Sequence, residues 1–364
     1  MKKTLLTICL VWMCFSLSAQ KIIDLSGKWS FSIDRQDNGE KEKWFSHTLN
    51  DFINLPGSMP EKLKGDEVTA KTQWTGSLYD SSYYYNPYME KYRKEGNIKF
   101  PFFLTPDKHY VGAAWYQKEV NIPADWKGER ILLFLERPHI ETTVWVNGQK
   151  TGMQNSLCVP HQYDITRYVR PGKCTITIRV DNRIKEINVG PDSHSITDQT
   201  QGNWNGIVGR ICLQTTPKTY FDDIQIYPEP EQKLARVKVV IKGTGTAKVK
   251  LSAESFNTDK KHIVPAIQQE IKLNKGVTET EMVLPMGNDM LLWDEFHPAL
   301  YKLKAEVTNG KKTEIKEIQF GMRRFEIKGK WFYVNGRKTQ LRGTVENCDF
   351  PLTGYAPMDV ESWE

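Results

Sequence analysis

The sequence predicts a mainly β protein. A sandwich or jelly roll occupies residues 20–218, an immunoglobulin-like sandwich residues 219–319, and a last stretch, 320–364, opens a parallel β/α architecture. Three observations predict this. Short strand-like runs separated by turn residues recur as far as Gln319, the texture of all-β sandwiches. Thr175–Val180 reads TITIRV, a strict alternation that predicts one buried and one wet face. After Phe320 the pattern becomes a hairpin, a strand ending in polar residues, and the first turn of a helix; a parallel strand needs such a crossover to reach its neighbour.

In chain order, the first element is a targeting segment: Lys2 and Lys3, an apolar run from Leu5 to Phe15, and a small residue, Ala19, before Gln20. The run is shorter than the ~20 residues a membrane span needs, so the expectation is a cleaved leader, no membrane span, and a periplasmic or secreted protein starting near Gln20. The formal net charge of the 364 residues is +6, two of which leave with the leader. Scattered lysines without a basic stripe exclude a nucleic-acid footprint. Of six cysteines, Cys158, Cys174, Cys212 and Cys348 remain after the leader, with no C-x-x-C pair or zinc spacing, and buried thiols are the simpler expectation. No H-E-x-x-H, phosphate loop or dinucleotide fingerprint is present, so no metal or cofactor is expected.

Strands are predicted at Trp29–Ile33, Trp115–Ile122, Ile131–Glu136, Thr142–Val146 and Thr175–Val180, with Asn147-Gly148 and Pro171-Gly172 as turns. Between Glu67 and Asp107 lies an insertion holding Trp74, Tyr79, Tyr83, Tyr84, Tyr85, Tyr88 and Tyr92. It reads either as a loop pinned by its own aromatics or as a substrate-side wall on which sugar rings stack. Four phrases recur in a familiar order: Leu25–Phe31 (LSGKWSF), Ala114–Lys118 (AWYQK), Val144–Gly148 (VWVNG) and Trp204–Gly209 (WNGIVG). Together they resemble the sugar-binding domain of glycoside hydrolase family 2, which includes β-galactosidases, β-glucuronidases and β-mannosidases. The resemblance implies a jelly roll packed beside a barrel. It also implies that the loop His194–Asn205 reaches toward the barrel mouth, making Asp198, Asn203, Trp204 and Asn205 candidate substrate contacts. For Trp204 taken alone, burial against the barrel is the preferred reading.

Residues 219–319 hold strand-like runs at Tyr220–Tyr227, Arg236–Lys242, Ala247–Ala253, Val277–Leu284, Tyr301–Val307 and Lys312–Gln319, roughly seven short strands in all. The last stretch carries Phe320-Gly321-Met322-Arg323, an Asn335-Gly336 turn that favours positive φ at both residues, Leu341-Arg342-Gly343, and Pro351-Leu352-Thr353-Gly354. This ordered set resembles the opening of the same family's (β/α)8 barrel. Arg342–Val345 is predicted to continue as a strand, and Asp359 or Pro357 to start a helix. Glu346, Asn347 and Asp349 follow that strand and are candidate substrate contacts. Many relatives carry a histidine in this run, but Val345–Asp349 reads VENCD, which points away from a plain galactoside.

By resemblance the parent protein is an exo-acting retaining β-glycosidase, using two carboxyl groups about 5–5.5 Å apart. The family's two glutamates lie on later barrel strands, so no catalytic residue is assigned in this chain and hydrolysis by it alone is not expected. The expected partner is a β-linked carbohydrate; the oligomeric state is left open. The alternative is a free-standing carbohydrate-binding or interaction module. An unpaired barrel strand is also expected to leave the stretch after Phe320 poorly anchored.

Overall fold

In a computed structural model of the chain, the structure describes residues 21–76, 80–100, 104–185, 193–194, 196–200, 202–345 and 350–364. Two compact units emerge: Lys21–Thr216 together with Gly343–Glu364, and Pro217–Arg342. The stretch expected to be a third domain is thus divided between them.

Among its described residues the first unit contains thirteen strands in chain order: β1 (Ile22–Asp24), β2 (Gly27–Asp34), β3 (Asp51–Leu55), β4 (Gly57–Ser58), β5 (Asp66–Glu67), β6 (Lys108–His109), β7 (Ala113–Ile122), β8 (Arg130–His139), β9 (Glu141–Val146), β10 (Gln149–Asn155), β11 (His161–Asp164), β12 (Gly172–Asp181) and β13 (Gly206–Thr216). The five strands predicted here fall within β2, β7, β8, β9 and β12. One sheet runs β10-β9-β12-β7-β2-β3; the other runs β1-β13-β8-β11 with β4 on β13. Every pairing is antiparallel. One apolar core takes Trp29, Tyr116, Val144, Ile176 and Ile178 from the first sheet and Leu133, Leu135, Ile211 and Leu213 from the second.

The wet face expected from the TITIRV alternation is not wet. Thr177, Arg179 and Asp181 are buried along with Ile176, Ile178 and Val180. Residues 35–50 cover that outer face. Leu49 packs with Trp115 and Trp145, flanked by Trp44 and Phe45, whose ring stacks on Trp145 at 5.2 Å. Asp34 accepts from the Trp115 indole at 2.9 Å and from the Gly39 amide at 2.9 Å; a β-carbon on Gly39 would stand 2.5 Å from that indole nitrogen. Beside this lid an ion cluster closes the sheet end: Arg179 binds Asp37 (2.6 Å) and Asp181 (3.0 Å), while Arg183 and Lys185 also reach Asp181, at 2.6 and 2.9 Å.

The second unit contains β14 (Tyr220–Glu229), β15 (Leu234–Phe256), β16 (Ile263–Pro285), β17 (Leu300–Asn309), β18 (Lys312–Phe320), β19 (Phe325–Lys328), β20 (Trp331–Val334) and β21 (Arg337–Thr339). The seven short strands expected are instead five, because β15 and β16 each run for 23 residues. Strand β14 pairs with Leu234–Lys242 of β15 and β17 with Lys248–Phe256, so each half of β15 serves a different layer. The register shift at Gly243/Gly245, where Gly245 takes φ +83°, makes that change of layer possible. Val237, Val239 and Ile241 from one half share a core with Val249, Leu251, Leu303 and Ala305.

The hairpin β20–β21 turns at Asn335-Gly336 with φ of 50° and 78°, as its sequence predicts, and Asn335 donates to the Trp293 carbonyl. Beyond it the expectation fails. Arg342–Val345 forms no strand; Leu341 and Val345 are exposed. A parallel strand requires a hydrogen-bonded neighbour, and none lies beside this segment among the described residues. Asp359 does cap a turn, accepting from the Ser362 amide at 2.8 Å, but only the short 3-10 turn Glu361–Trp363 follows. The described residues therefore contain no β/α unit.

The ion cluster yields a prediction. Burial works against ionised Asp181, but hydrogen bonds from Arg183 and Lys185 and the charge of Arg179 outweigh it and hold the carboxyl well below its ordinary range. A depressed carboxyl contributes stability above its unfolded pKa near 4 and loses it as pH falls through the folded value. Asp181→Asn should cost roughly 3–5 kcal/mol at neutral pH. It should also flatten the fall of melting temperature below pH 4, read by thermal melts across pH.

Candidate functional site

Four of the predicted site residues sit together just before β13, and all four are interior. Asn205 is 1 % exposed. Its side chain accepts from the Tyr116 hydroxyl at 2.7 Å and donates to the carbonyls of Gly112 (2.9 Å) and Val180 (3.0 Å), while its own carbonyl accepts from the Met59 amide. Asp198 accepts from the amides of Thr75 (2.7 Å) and Asn203 (2.8 Å) and faces His109 Nε2 at 3.3 Å. Asn203 donates to Thr75 Oγ1 and to the Asn182 carbonyl. Trp204 stacks on the ring of buried His139 at 4.6 Å. Burial and the nearby Arg137 charge hold the pKa of His139 at about 3, with Asn203 pulling the other way, so this imidazole is neutral at physiological pH.

A second wall comes from about 150 residues further along the chain: Leu341 and Val345 are exposed as expected of a loose end, but the turn after them is docked. The turn Phe350–Tyr355 is closed by the Gly354 amide on the Phe350 carbonyl and docks on the jelly roll. Gly354, at φ +78°, lies flat on Trp204: a β-carbon there would stand 2.7 Å from the indole. Tyr355 packs its ring on Trp204 at 5.5 Å and donates from its hydroxyl to Glu61 at 2.7 Å; Ser58 donates to the Thr353 carbonyl. Between the walls, and bordered also by Pro60 and by the stretch 104–110 that includes Lys108, is a cleft lined by Asp198, Asn203, Trp204, Phe350, Pro351 and Gly354. Its floor admits a hydroxyl-sized group rather than a whole sugar ring. Asp198 is the one carboxylate among its described lining residues, so the cleft offers polar contacts and no acid/base pair. Glu346, Asn347 and Asp349 lie outside the described residues.

The aromatic insertion is closed at its neck by the pairing of β5 with β6. Tyr83 is buried, bonds the Tyr92 carbonyl at 2.8 Å and packs on Phe100, so part of the insertion is pinned by its own aromatics. Tyr84, Tyr85 and Tyr88 are exposed, and Tyr79 lies outside the described residues. Trp74 packs on His109. Cys174 and Cys212 are buried and Cys158 exposed, none in a disulfide; Cys348 lies outside the described residues.

The flat contact on Trp204 predicts that Gly354→Ala undocks the turn. The added methyl meets the indole and a backbone angle that alanine disfavours, a local cost of about 1–3 kcal/mol. Limited proteolysis should then cut within 350–355 at protease levels the parent chain resists, with little change in the melting of the sandwich cores.

Comparison with known proteins follows the two units. The model of the glycosyl hydrolases family 2 sugar binding domain matches residues 22–217, and the family 2 model that follows it matches residues 219–323. A β-glucuronidase of Paenibacillus borealis is 24% identical over 355 residues, covering 92% of this chain and 51% of that protein. The β-galactosidase large subunit of Latilactobacillus sakei is 23% identical over 350 residues, covering 93% and 52%. A solved β-glucuronidase from Ruminococcus gnavus shares the fold, with a TM-score of 0.61 at 19% identity, over 90% of this chain and 49% of its own. The chain thus spans about half the length of the relatives it matches, their N-terminal part. With its sugar-binding-type jelly roll and the sandwich that follows, the chain belongs to glycosyl hydrolase family 2.

Proposed function

We propose that these residues are the N-terminal, non-catalytic part of an exported, exo-acting retaining β-glycosidase, and that the cleft beside Trp204 is one edge of its sugar pocket. The observation that carries this reading is the match of residues 22–217 and then 219–323 to the two family 2 models, with β-glucuronidases and a β-galactosidase as relatives over nine-tenths of the chain. The barrel opening belongs to the proposal: the F-G-x-R, N-G, L-R-G and P-x-x-G phrases support it. The partner is a β-linked carbohydrate. Asp198 and Asn203 reach a sugar hydroxyl at the cleft floor, since a carboxylate and an amide that already hold backbone groups keep lone pairs for a further donor. Trp204 and Asn205 act behind them as support.

Retaining hydrolysis needs two carboxyls about 5–5.5 Å apart. Asp198 is the one carboxylate among the described lining residues of the cleft, and it is tied into the fold by the amides of Thr75 and Asn203. The 364 residues alone are therefore expected to hydrolyse nothing. A longer protein carrying the barrel should cleave an aryl β-glucuronide, β-galactoside or β-mannoside with retention, followed by NMR of the released anomer. Turnover by the 364 residues alone, or none by the longer protein on any of the three, would sink the reading.

Export rests on Lys2, Lys3 and the apolar run to Phe15, all outside the described residues. Mass spectrometry of periplasmic or secreted protein should find Gln20 at the N-terminus; mature protein that retains Met1 would contradict it.

A further inference from the structure

Both walls of the cleft are measured from one point, the start of β13. The loop wall runs straight into it through Asn205. The other wall reaches it through β4, which pairs Ser58 with Gly206 and Gly57 with Ile207. The approach is too close for side chains: a β-carbon on Gly206 would stand 2.4 Å from the Gly57 carbonyl oxygen, and one on Gly57 would stand 2.8 Å from Glu61 Oε2. The Glu61 carboxylate is thereby seated over β4. It accepts from the Ser58 amide at 3.2 Å and from the Tyr355 hydroxyl at 2.7 Å, with Lys62 on its other oxygen. Ser58 completes the clasp by donating to the Thr353 carbonyl.

We propose that Glu61 and Tyr355 are positioning residues for sugar binding: their hydrogen bond holds Phe350, Pro351 and Gly354 at a fixed distance from Asp198 and Asn203, and so sets the cleft. This rests on the function proposed above. Neither side chain touches the sugar. Their effect falls on how well the pocket edge fits the substrate, with the barrel's chemistry untouched. A hydrogen bond between a hydroxyl and a half-buried carboxylate is strong enough to select one position of the turn. Gly57 has room for that carboxylate because it has no side chain.

The experiment uses the longer, barrel-bearing protein and an aryl β-glycoside it cleaves. Tyr355→Phe and Glu61→Leu should each raise KM about tenfold with kcat within about twofold, the pattern of lost binding that is equal in ground and transition states. The double variant should be no worse than either single, because both remove one shared interaction. Glu61→Gln keeps an acceptor for the tyrosine and should stay within about threefold of the parent KM, an outcome that simple destabilisation would not separate from Glu61→Leu. Faster proteolysis within 350–355 confirms that the clasp has opened. An opened clasp with unchanged KM, additive effects in the double variant, or a fall in kcat alone would overturn the assignment. If Glu61→Leu does not fold, Tyr355→Phe, which removes one oxygen, decides alone. Absence of turnover by the parent protein would sink the function proposed above and the sugar-binding role with it; turnover with unchanged KM sinks only the roles of Glu61 and Tyr355.

Discussion

Asn205 makes three side-chain hydrogen bonds inside the jelly roll, and the candidate site depends on them. One acceptor and two donors on its side chain join β7, the turn at Gly112 and the end of β12, and its carbonyl takes the Met59 amide. These are buried groups whose bonds cannot be replaced by solvent, so a shift of this residue would leave several unsatisfied at once. The loop wall hangs from it on one side, and β13 begins on the other.

Much of the fold is legible in the sequence because it is local. The five strands predicted in the jelly roll occur where the alternation places them, and Asn147-Gly148 and Asn335-Gly336 turn with both residues at positive φ. The covered face of β12 is different. Thr177, Arg179 and Asp181 alternate with isoleucine and valine as a solvated face does, and their burial is imposed by residues more than a hundred positions earlier. A signal was present: Trp115 beside Tyr116, and Trp145 between Val144 and Val146, place large apolar side chains on the face assigned to water. Two tryptophans on one outer face imply a cover, and Trp44 and Phe45 provide it. The 23-residue strand β15 differs from the two runs expected at Arg236–Lys242 and Ala247–Ala253 because Gly243 and Gly245 form a bulge within one strand.

The site was legible as a group and not as a set of roles. Asp198, Asn203, Trp204 and Asn205 do stand together, yet the polar three first hold the protein's own groups, at Thr75, Asn182, Gly112 and Val180 among others, while Trp204 packs on His139 and Tyr355. A sequence reading sees an amide or carboxylate in a polar loop but cannot see which partner it meets across the fold. The docking of Gly354 on Trp204 is of the same kind. The P-x-x-G phrase marks a tight turn at Gly354, but only the tertiary structure shows that the missing side chain makes room for an indole.

On the proposed function, this arrangement would give the jelly roll a part that differs from both spacer and independent binding module. Its polar groups near the cleft are mostly committed to the fold, so what it would offer a ligand is chiefly shape, with Asp198, Asn203 and Lys108 as polar lining. Shape of that kind is only as accurate as its least fixed wall. The loop wall is fixed by many buried bonds. The turn wall is fixed by a glycine lying flat on Trp204, one serine and the Glu61–Tyr355 pair, and these few contacts set the tolerance of the cleft. On the proposed function, sequence change at Ser58, Glu61, Gly354 or Tyr355 would therefore alter the fit of a ligand long before it altered the stability of either sandwich, because none of these residues belongs to an apolar core cluster.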